Sequence, residues 1–326
     1  MHGYKVDLAT VISKYYLDRL FCLLKSIKNF SSTTIHILCF DKESFDILKT
    51  INNLNIKIYS ISEIYKYDKN LNKINLSREL INQIITTRPV FIKYLLKKKI
   101  KSVFLIDSDI FFYSDPAKLI KFNKNLSIAF SEHNYASDAK EKIRLYGKYN
   151  GGYVYIKSDK YGNIFLKEWI ILCKKWCKFE PENNKFADQK YLENLFEKYQ
   201  NHISIIKNPC VNAAPWNIKN IKFKKKRNII YANEKKLIFF HYHGVRKLIK
   251  SIYTLGTSNY NFFLENNTKK VIYRNYINLL HKYEKFQFKY WKTENNTNIN
   301  YFNILKLIKY FKLLTKKIIN NDFAAA

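Results

Sequence analysis

Glycine and proline are scarce, seven and five in 326 residues, so flexible linkers, collagen-like repeats and low-complexity loops are not expected. No run of about 20 apolar residues occurs, and no segment is expected to span a bilayer. The five cysteines (Cys22, Cys39, Cys173, Cys177 and Cys210) are odd in number. The opening MHGYKVDLAT lacks the basic-then-apolar pattern of a secretory signal. Together these features predict a reducing cytoplasm and no disulfide framework. Cys173 and Cys177 are four apart on a helical pattern with no second Cys/His pair at ligand spacing nearby. They read as buried thiols on one helix face, not as half a metal site. Arginine is rare as well: of 58 basic residues set against 26 acids, seven are arginine (Arg19, Arg78, Arg88, Arg144, Arg227, Arg246 and Arg274). Arginine is the usual residue for bidentate phosphate and base contacts. The net charge of +32 is therefore traced first to lysine-rich, A/T-biased codons and second to an anionic membrane surface, not to nucleic acid.

About 47% of the chain is hydrophobic, enough for a sizeable core, and the length fits one large domain or a domain plus an appendage. The first hundred residues alternate strand and helix patterns. Strands are expected at 5–11, 34–40 and 56–61, helices at 15–28 and 42–54, and an Asn/Lys-rich loop at 68–75. A helical stretch follows from Leu76, which Pro89 should interrupt. This βαβα order predicts a mostly parallel sheet covered on both faces. Ligands in such sheets bind beyond the carboxyl ends of the strands.

Chemistry does follow a strand. In FLIDSDIFFYSDP, residues 104–116, the apolar run through Ile106 ends in Asp107, Ser108 and Asp109. Residues i and i+2 of an extended chain point to one side. Two carboxylates on one side call for a cation. Mg²⁺ or Mn²⁺ suits them and leaves room for substrate phosphate oxygens. Asp115 is expected to cap the helix that starts at Pro116. Far downstream, a strand near Lys236–Phe240 ends in HYHGVRK. His241 and His243 are again i and i+2, and imidazole suits Mn²⁺ in a mixed carboxylate site. Gly244 allows close backbone approach, and Arg246 and Lys247 bring positive charge.

These segments resemble GT-A glycosyltransferases, in particular glycosyltransferase family 8 and related nucleotide-diphospho-sugar transferases. The D-x-D is followed, as in that family, by an Asn-x-Gly segment (Asn150-Gly151-Gly152), an Asp-Gln segment (Asp188-Gln189) and H-x-x-G-x-x-K (His241, Gly244, Lys247). The resemblance implies an α/β, Rossmann-like GT-A fold with a C-terminal helical extension. It implies a transferase that moves a hexose from a nucleotide sugar, most readily UDP-linked, to a hydroxyl of a surface glycan or lipid-linked glycan precursor. Asp107, Asp109 and His241 would bind the divalent metal, with Asp107 and Ser108 also near the nucleotide. Gly244 and Lys247 would contact the diphosphate. Asn150, Asp188 and Gln189 would line the donor sugar and reaction centre. Ala9, Thr10 and Tyr16 would cradle the base, and Arg88 would touch the sugar. Lys247 is followed by Leu248-Ile249 where family 8 has Pro-Trp, and Lys190 stands where an Asp is frequent. Retention of the anomeric configuration is favoured over inversion, for which Asp188 would serve as base. Two rivals remain. A nucleotide-sugar pyrophosphorylase would need a Gly-rich loop after the first strand, which VDLATVISKYYLDRL lacks. A non-catalytic basic module would have no use for Asp107 and Asp109.

Several other residues carry an expectation. Trp216, with Asn212 nearby, could hold a sugar ring or sit buried beside a turn. Glu132 and His133 follow a strand at 126–130 and could read sugar or acceptor. Trp169 and Trp176 are expected in the core. Residues 1–255 form the expected catalytic domain and 256–326 a basic helical extension. Within it, Ile304–Ile319 interleaves apolar residues with lysines, the pattern of a helix lying on an anionic bilayer at the cytoplasmic face. The terminal Ala324-Ala325-Ala326 resembles an appended tail.

Overall fold

Both faces of the central sheet are apolar, and β4 shows why. This strand (Ser102–Ile106) sends Val103 and Leu105 into one core and Phe104 and Ile106 into another, all nearly inaccessible to solvent. A strand buried on both sides belongs inside a layered α/β structure. The computed structural model, which describes residues 5–122, 126–286 and 313–326, has this architecture. Before β4 come β1 (Val6–Ile12), β2 (Thr33–Cys39) and β3 (Ile56–Ser60). After it come β5 (Ile110–Phe112), β6 (Ile128–Glu132), β7 (Tyr149–Lys157) and β8 (Ile203–Ile206). The main sheet runs β3-β2-β1-β4-β7-β6-β8. Its pairs are parallel except where β7 meets β4 and β6.

The helices cover the sheet. They are α1 (Leu17–Ile27), α2 (Lys42–Lys49), α3 (Ile61–Tyr67), α4 (Lys69–Asn75), α5 (Leu80–Lys97), α6 (Glu141–Tyr146), α7 (Lys160–Lys175) and α8 (Tyr191–Tyr199). Apolar side chains of α5, α7 and α8 fill one core and those of α1 the other. Trp169 is fully buried and Trp176 packs against the same core. All five cysteines are buried and unpaired.

Three expectations need correction. Residues 69–75 are helical, not a loop: Asp68 accepts the Leu71 amide at 3.0 Å as N-cap, and Leu71 and Asn75 are buried. The Asn/Lys composition masks that cap. The second helix stops at Lys49, short of residue 54. Pro89 lies inside an unbroken α5. A helix-interior proline costs about 3 kcal/mol, and the burial of Ile85, Val90, Phe91 and Ile92 around it offsets that cost. Asp115 accepts the Ala117 amide at 2.8 Å, as its capping role requires, although the segment it opens is 3₁₀.

A third core lies under the later part of the chain. Small strands β9 (Phe223–Lys226), β10 (Ile229–Ala232) and β11 (Lys235–Lys236) precede β12 (Phe239–His241), which pairs antiparallel with β5. Then β13 (Arg246–Ile249) and β14 (Ile252–Thr254) form a hairpin. Helix Arg274–Lys282 contributes Tyr276, Ile277 and Leu280 to the same cluster as Phe111, Phe240 and Tyr242. The segment set apart by sequence as an extension thus shares a core with the residues before it. Of the expected helix 304–319, residues 304–312 lie outside the described residues and 313–319 are helical. Near its end lies β15 (Phe323–Ala325), which pairs with β14, so Ala324 and Ala325 are part of a strand. No helix among the described residues is long and apolar enough to cross a membrane.

Candidate active site

The acids leave the sheet at the carboxyl end of β4, beside the end of its parallel neighbour β1. A cavity of about 660 Å³ opens there. Asp107, Ser108 and Asp109 line it with Val11, Ile12, Ser13 and Tyr16 from the end of β1. Pairing of β12 with β5 sets His241 opposite Ile110. The backbone then locks the approach: the Tyr242 amide donates to the Asp109 carbonyl at 2.9 Å, and the His241 amide to that of Ala213 at 2.8 Å. His241 Nε2 consequently lies 2.9 Å from Asp109 Oδ1 and 3.6 Å from Asp107 Oδ2. His243, one pleat on, completes a cluster with Asp109 and His241 whose ligand atoms all lie within 4.8 Å of one another.

The charges of this cluster are mutually dependent. Burial opposes ionisation of Asp109, but the His241 charge and hydrogen bond outweigh it and bring its carboxyl down to about 2. Burial likewise opposes a charged His241, and the Asp109 interaction outweighs it and raises the imidazole above its ordinary value. His243 is pushed down, chiefly by burial. Two imidazoles and nearby carboxylates form the borderline-hard donor set that divalent Mn²⁺ accepts. Gly152 makes room for it: a Cβ there would come within 2.6 Å of both Asp107 Oδ2 and His241 Cε1. The residues present therefore fit a divalent ion, which Asp109, His241 and His243 would hold with Asp107 alongside.

A buried guanidinium joins this group to the Asp-Gln segment. Arg88, on α5, places Nη2 2.9 Å from Asp107 Oδ1 and Nη1 3.0 Å from Asp188 Oδ2. Nη1 also donates to Asp188 Oδ1 at 3.2 Å. Burial raises the Asp188 carboxyl to about 6, against the opposing pull of Arg88. Asp188 is held from behind as well, since Trp169 Nε1 donates to its carbonyl at 2.8 Å. Ala187, with φ of 49°, adopts the left-handed conformation that non-glycine residues rarely take. It turns the chain so that both Asp188 and Gln189 line the cavity. Gln189 Oε1 accepts the Gly151 amide at 3.2 Å. Asn150 Oδ1 accepts the Gly152 amide at 3.0 Å, and its Nδ2 lies 3.1 Å from His133 Nε2.

The structure thus gathers Tyr16, Arg88, Asp107, Ser108, Asp109, His133, Asn150, Asp188, Gln189, Trp216 and His241 around one cavity. Others named from sequence stand elsewhere. Ala9 and Thr10 are fully buried within β1, and the next residues, Val11 to Ser13, line the cavity instead. Glu132 ends β6 and pairs with Lys148 and Lys207. Asn212 is buried, donating to Ser131 Oγ at 2.7 Å and Asn150 Oδ1 at 3.2 Å, so it braces the wall. Trp216 is 3% exposed, edge-on to His133 and His241 at ring separations of 5.2 and 5.0 Å. Gly244 packs on Gly256, and Lys247, in β13, pairs with Glu284; neither lines the cavity. The i, i+2 spacing pairs His243 with His241 in the sequence, but the ligand set implied by the family resemblance leaves His243 out, and the structure groups it with Asp109 and His241. Sequence reading passed over Lys142, Asn259, Tyr260 and Lys316 in the lining, which no motif marks.

The nucleotide-diphospho-sugar transferase family profile matches residues 32–244. Two proteins of Bacillus subtilis (strain 168) are similar in sequence. Uncharacterized protein YfnF is 30% identical over 247 residues, 73% of this chain and 80% of YfnF. Uncharacterized protein YfnD is 24% identical over 274 residues, 82% of this chain and 86% of YfnD. Among solved structures, the apo form of mouse xyloside xylosyltransferase 1 superposes with a TM-score of 0.47 at 8% identity, over 74% of this chain and 98% of its own.

Proposed function

The chain belongs to the nucleotide-diphospho-sugar transferase family, and from that premise we propose that it is a metal-dependent hexosyltransferase that uses a UDP-sugar. The observation that supports this most is the convergence of Asp109, His241 and His243 in a cavity that also holds Asp107, Arg88 and Asp188. The nucleoside would rest just past the end of β1, where Tyr16 lines the cavity at 42% exposure with Arg19 over its ring, so that a base could stack against that aromatic group. A divalent ion, when bound, supplies Lewis acidity against the charge that grows on a departing diphosphate. The chain's own residues set the geometry. Arg88 pairs with Asp107 and Asp188 together, which offsets part of their mutual repulsion and holds both carboxylates in place. Asp188, Gln189 and Asn150 face the donor sugar.

For the stereochemical course we favour retention. Both Asp188 oxygens lie within 3.2 Å of Arg88 Nη1. That arrangement suits holding a sugar better than collecting an acceptor proton. Proton NMR of the first-formed product gives the anomeric configuration directly, and an inverted product would reassign Asp188 as the general base. The acceptor we propose is a hydroxyl of a surface-glycan or lipid-linked precursor. Leu313, Ile318 and Ile319 stand exposed on the final helical segment of a chain whose net charge is +32, which supports contact with an anionic membrane face. Sedimentation with phosphatidylglycerol vesicles tests this: Ile318→Ser with Ile319→Ser should weaken binding, and unchanged binding would count against it. The central test is a thermal-shift screen of nucleotide sugars with and without Mn²⁺. A metal-dependent rise for a UDP-sugar, lost in Asp109→Ala, is expected. A shift that ignores both metal and Asp109 would refute the site.

A further inference from the structure

A family likeness led to Lys247 as the cation for the diphosphate, yet Lys247 pairs with Glu284 away from the cavity. Two other lysines do line it, Lys142 in α6 and Lys316 near the chain's end. Neither forms an ion pair with a carboxylate among the described residues. Lys142 lies 5.3 Å from the Tyr260 ring centroid. Its pKa is lowered by burial first and by repulsion from Lys316 second, so the two ammonium groups are close enough to disfavour each other. Like charges kept together at a cavity wall call for an anion between or beside them, and lysine is an effective point charge for phosphate.

Lys316 reaches the cavity because its segment is fastened. Asp322 is fully buried. It accepts hydrogen bonds from Thr254 Oγ1 at 2.6 Å, from the Thr257 amide and hydroxyl at 2.8 Å each, and from Ser258 Oγ and Lys317 Nζ at 2.9 Å each. The strand pairing of Phe323–Ala325 with β14 adds a second hold. The residues so clasped, 254–258, contain Gly256, where a Cβ would come within 2.5 Å of the His243 carbonyl. The tail that carries Lys316 is therefore linked, through residues 254–258, to the backbone of a candidate metal ligand. We propose that Lys316, delivered by this clasped tail, grips with Lys142 the diphosphate of the nucleotide-sugar donor. The proposal rests on the glycosyltransferase reading and adds to it a recognition element from outside the matched family segment, which ends at residue 244.

Calorimetric titration tests it on the full chain with Mn²⁺, using UDP, GDP and dTDP in turn, each against its own nucleoside. Lys316 is exposed, so Lys316→Gln should keep the fold, checked by its melting curve. Loss of a charge-assisted contact should weaken the nucleoside diphosphate by about tenfold and leave the nucleoside unchanged. Lys142→Gln should do the same, and Lys316→Arg should restore most of the affinity. Unchanged diphosphate affinity in Lys316→Gln, with loss in Lys247→Gln, would overturn the proposal and return the role to Lys247. An unmodified chain that binds none of the three diphosphates would instead refute the glycosyltransferase reading, and this proposal with it.

Discussion

The cavity has two walls built on different physical principles. The first, carrying Asp107, Asp109, Arg88 and Asp188, stands on a seven-stranded sheet whose two faces are buried in apolar cores. At its centre one cation, Arg88, serves two anions. The second, carrying His243, Asn259, Tyr260 and Lys316, lies beside strands of three or four residues. At its centre one anion, Asp322, serves several donors. Behind its polar centre the sheet wall has two apolar cores, whereas the short-stranded wall is joined to the chain's tail chiefly through the hydrogen bonds of Asp322. The sheet side should therefore be rigid and the tail side the one that opens.

The sharpest challenge to that contrast removes the cation from the sheet side. Arg88→Met strands Asp188 in a buried site, and breaking a buried pair in this way costs about 3–5 kcal/mol. Urea denaturation measures it, and a loss under about 1 kcal/mol would show that Arg88 positions little. Next comes Gly152→Ala, whose Cβ would meet Asp107 and His241 at 2.6 Å. A misplacement of about 1 Å at a reaction centre costs on the order of 100-fold in turnover, while the melting temperature should move far less. Asp322→Asn comes third, at about 1–3 kcal/mol. Its diagnostic is local: hydrogen exchange should accelerate at 252–258 and stay unchanged in β1 and β4, and uniform acceleration would merge the two walls into one cooperative unit. The most gradual effect is a pH slope. Asp188 is raised to about 6 from an ordinary 3.8, so the folded chain holds that proton more tightly than the unfolded one. The stabilisation is complete below about pH 4 and fades as pH rises through 6, at no more than about 1.4 kcal/mol per unit. Denaturant midpoints should follow that slope in the native chain and lose it in Asp188→Asn.

The same division explains what was legible in the amino-acid order. The sheet wall announces itself, because alternating patterns fix β1 to β4 and an acid pair after an apolar run marks a strand end. Arg88 was named, but its bridging of Asp107 to Asp188 depends on α5 passing through Pro89 without a break, which local preference argues against. On the other wall the histidines were visible, while the tail was not. Its clasp joins Asp322 to residues 254–258, and no period or spacing encodes a hydrogen-bond cage that long-range folding assembles. Lys247 likewise has a partner that no spacing marks: it lies in β13 and pairs with Glu284, 37 residues on.

The native thiols are shared among the three cores: Cys173 and Cys177 lie in the first, Cys39 and Cys210 in the second and Cys22 in the third, beneath the tail side. Burial keeps every one of them from solvent. An alkylating reagent must therefore wait for its own compartment to breathe, and mass spectrometry of partly labelled chains would rank the compartments by how readily each comes apart, with no reporter engineered in.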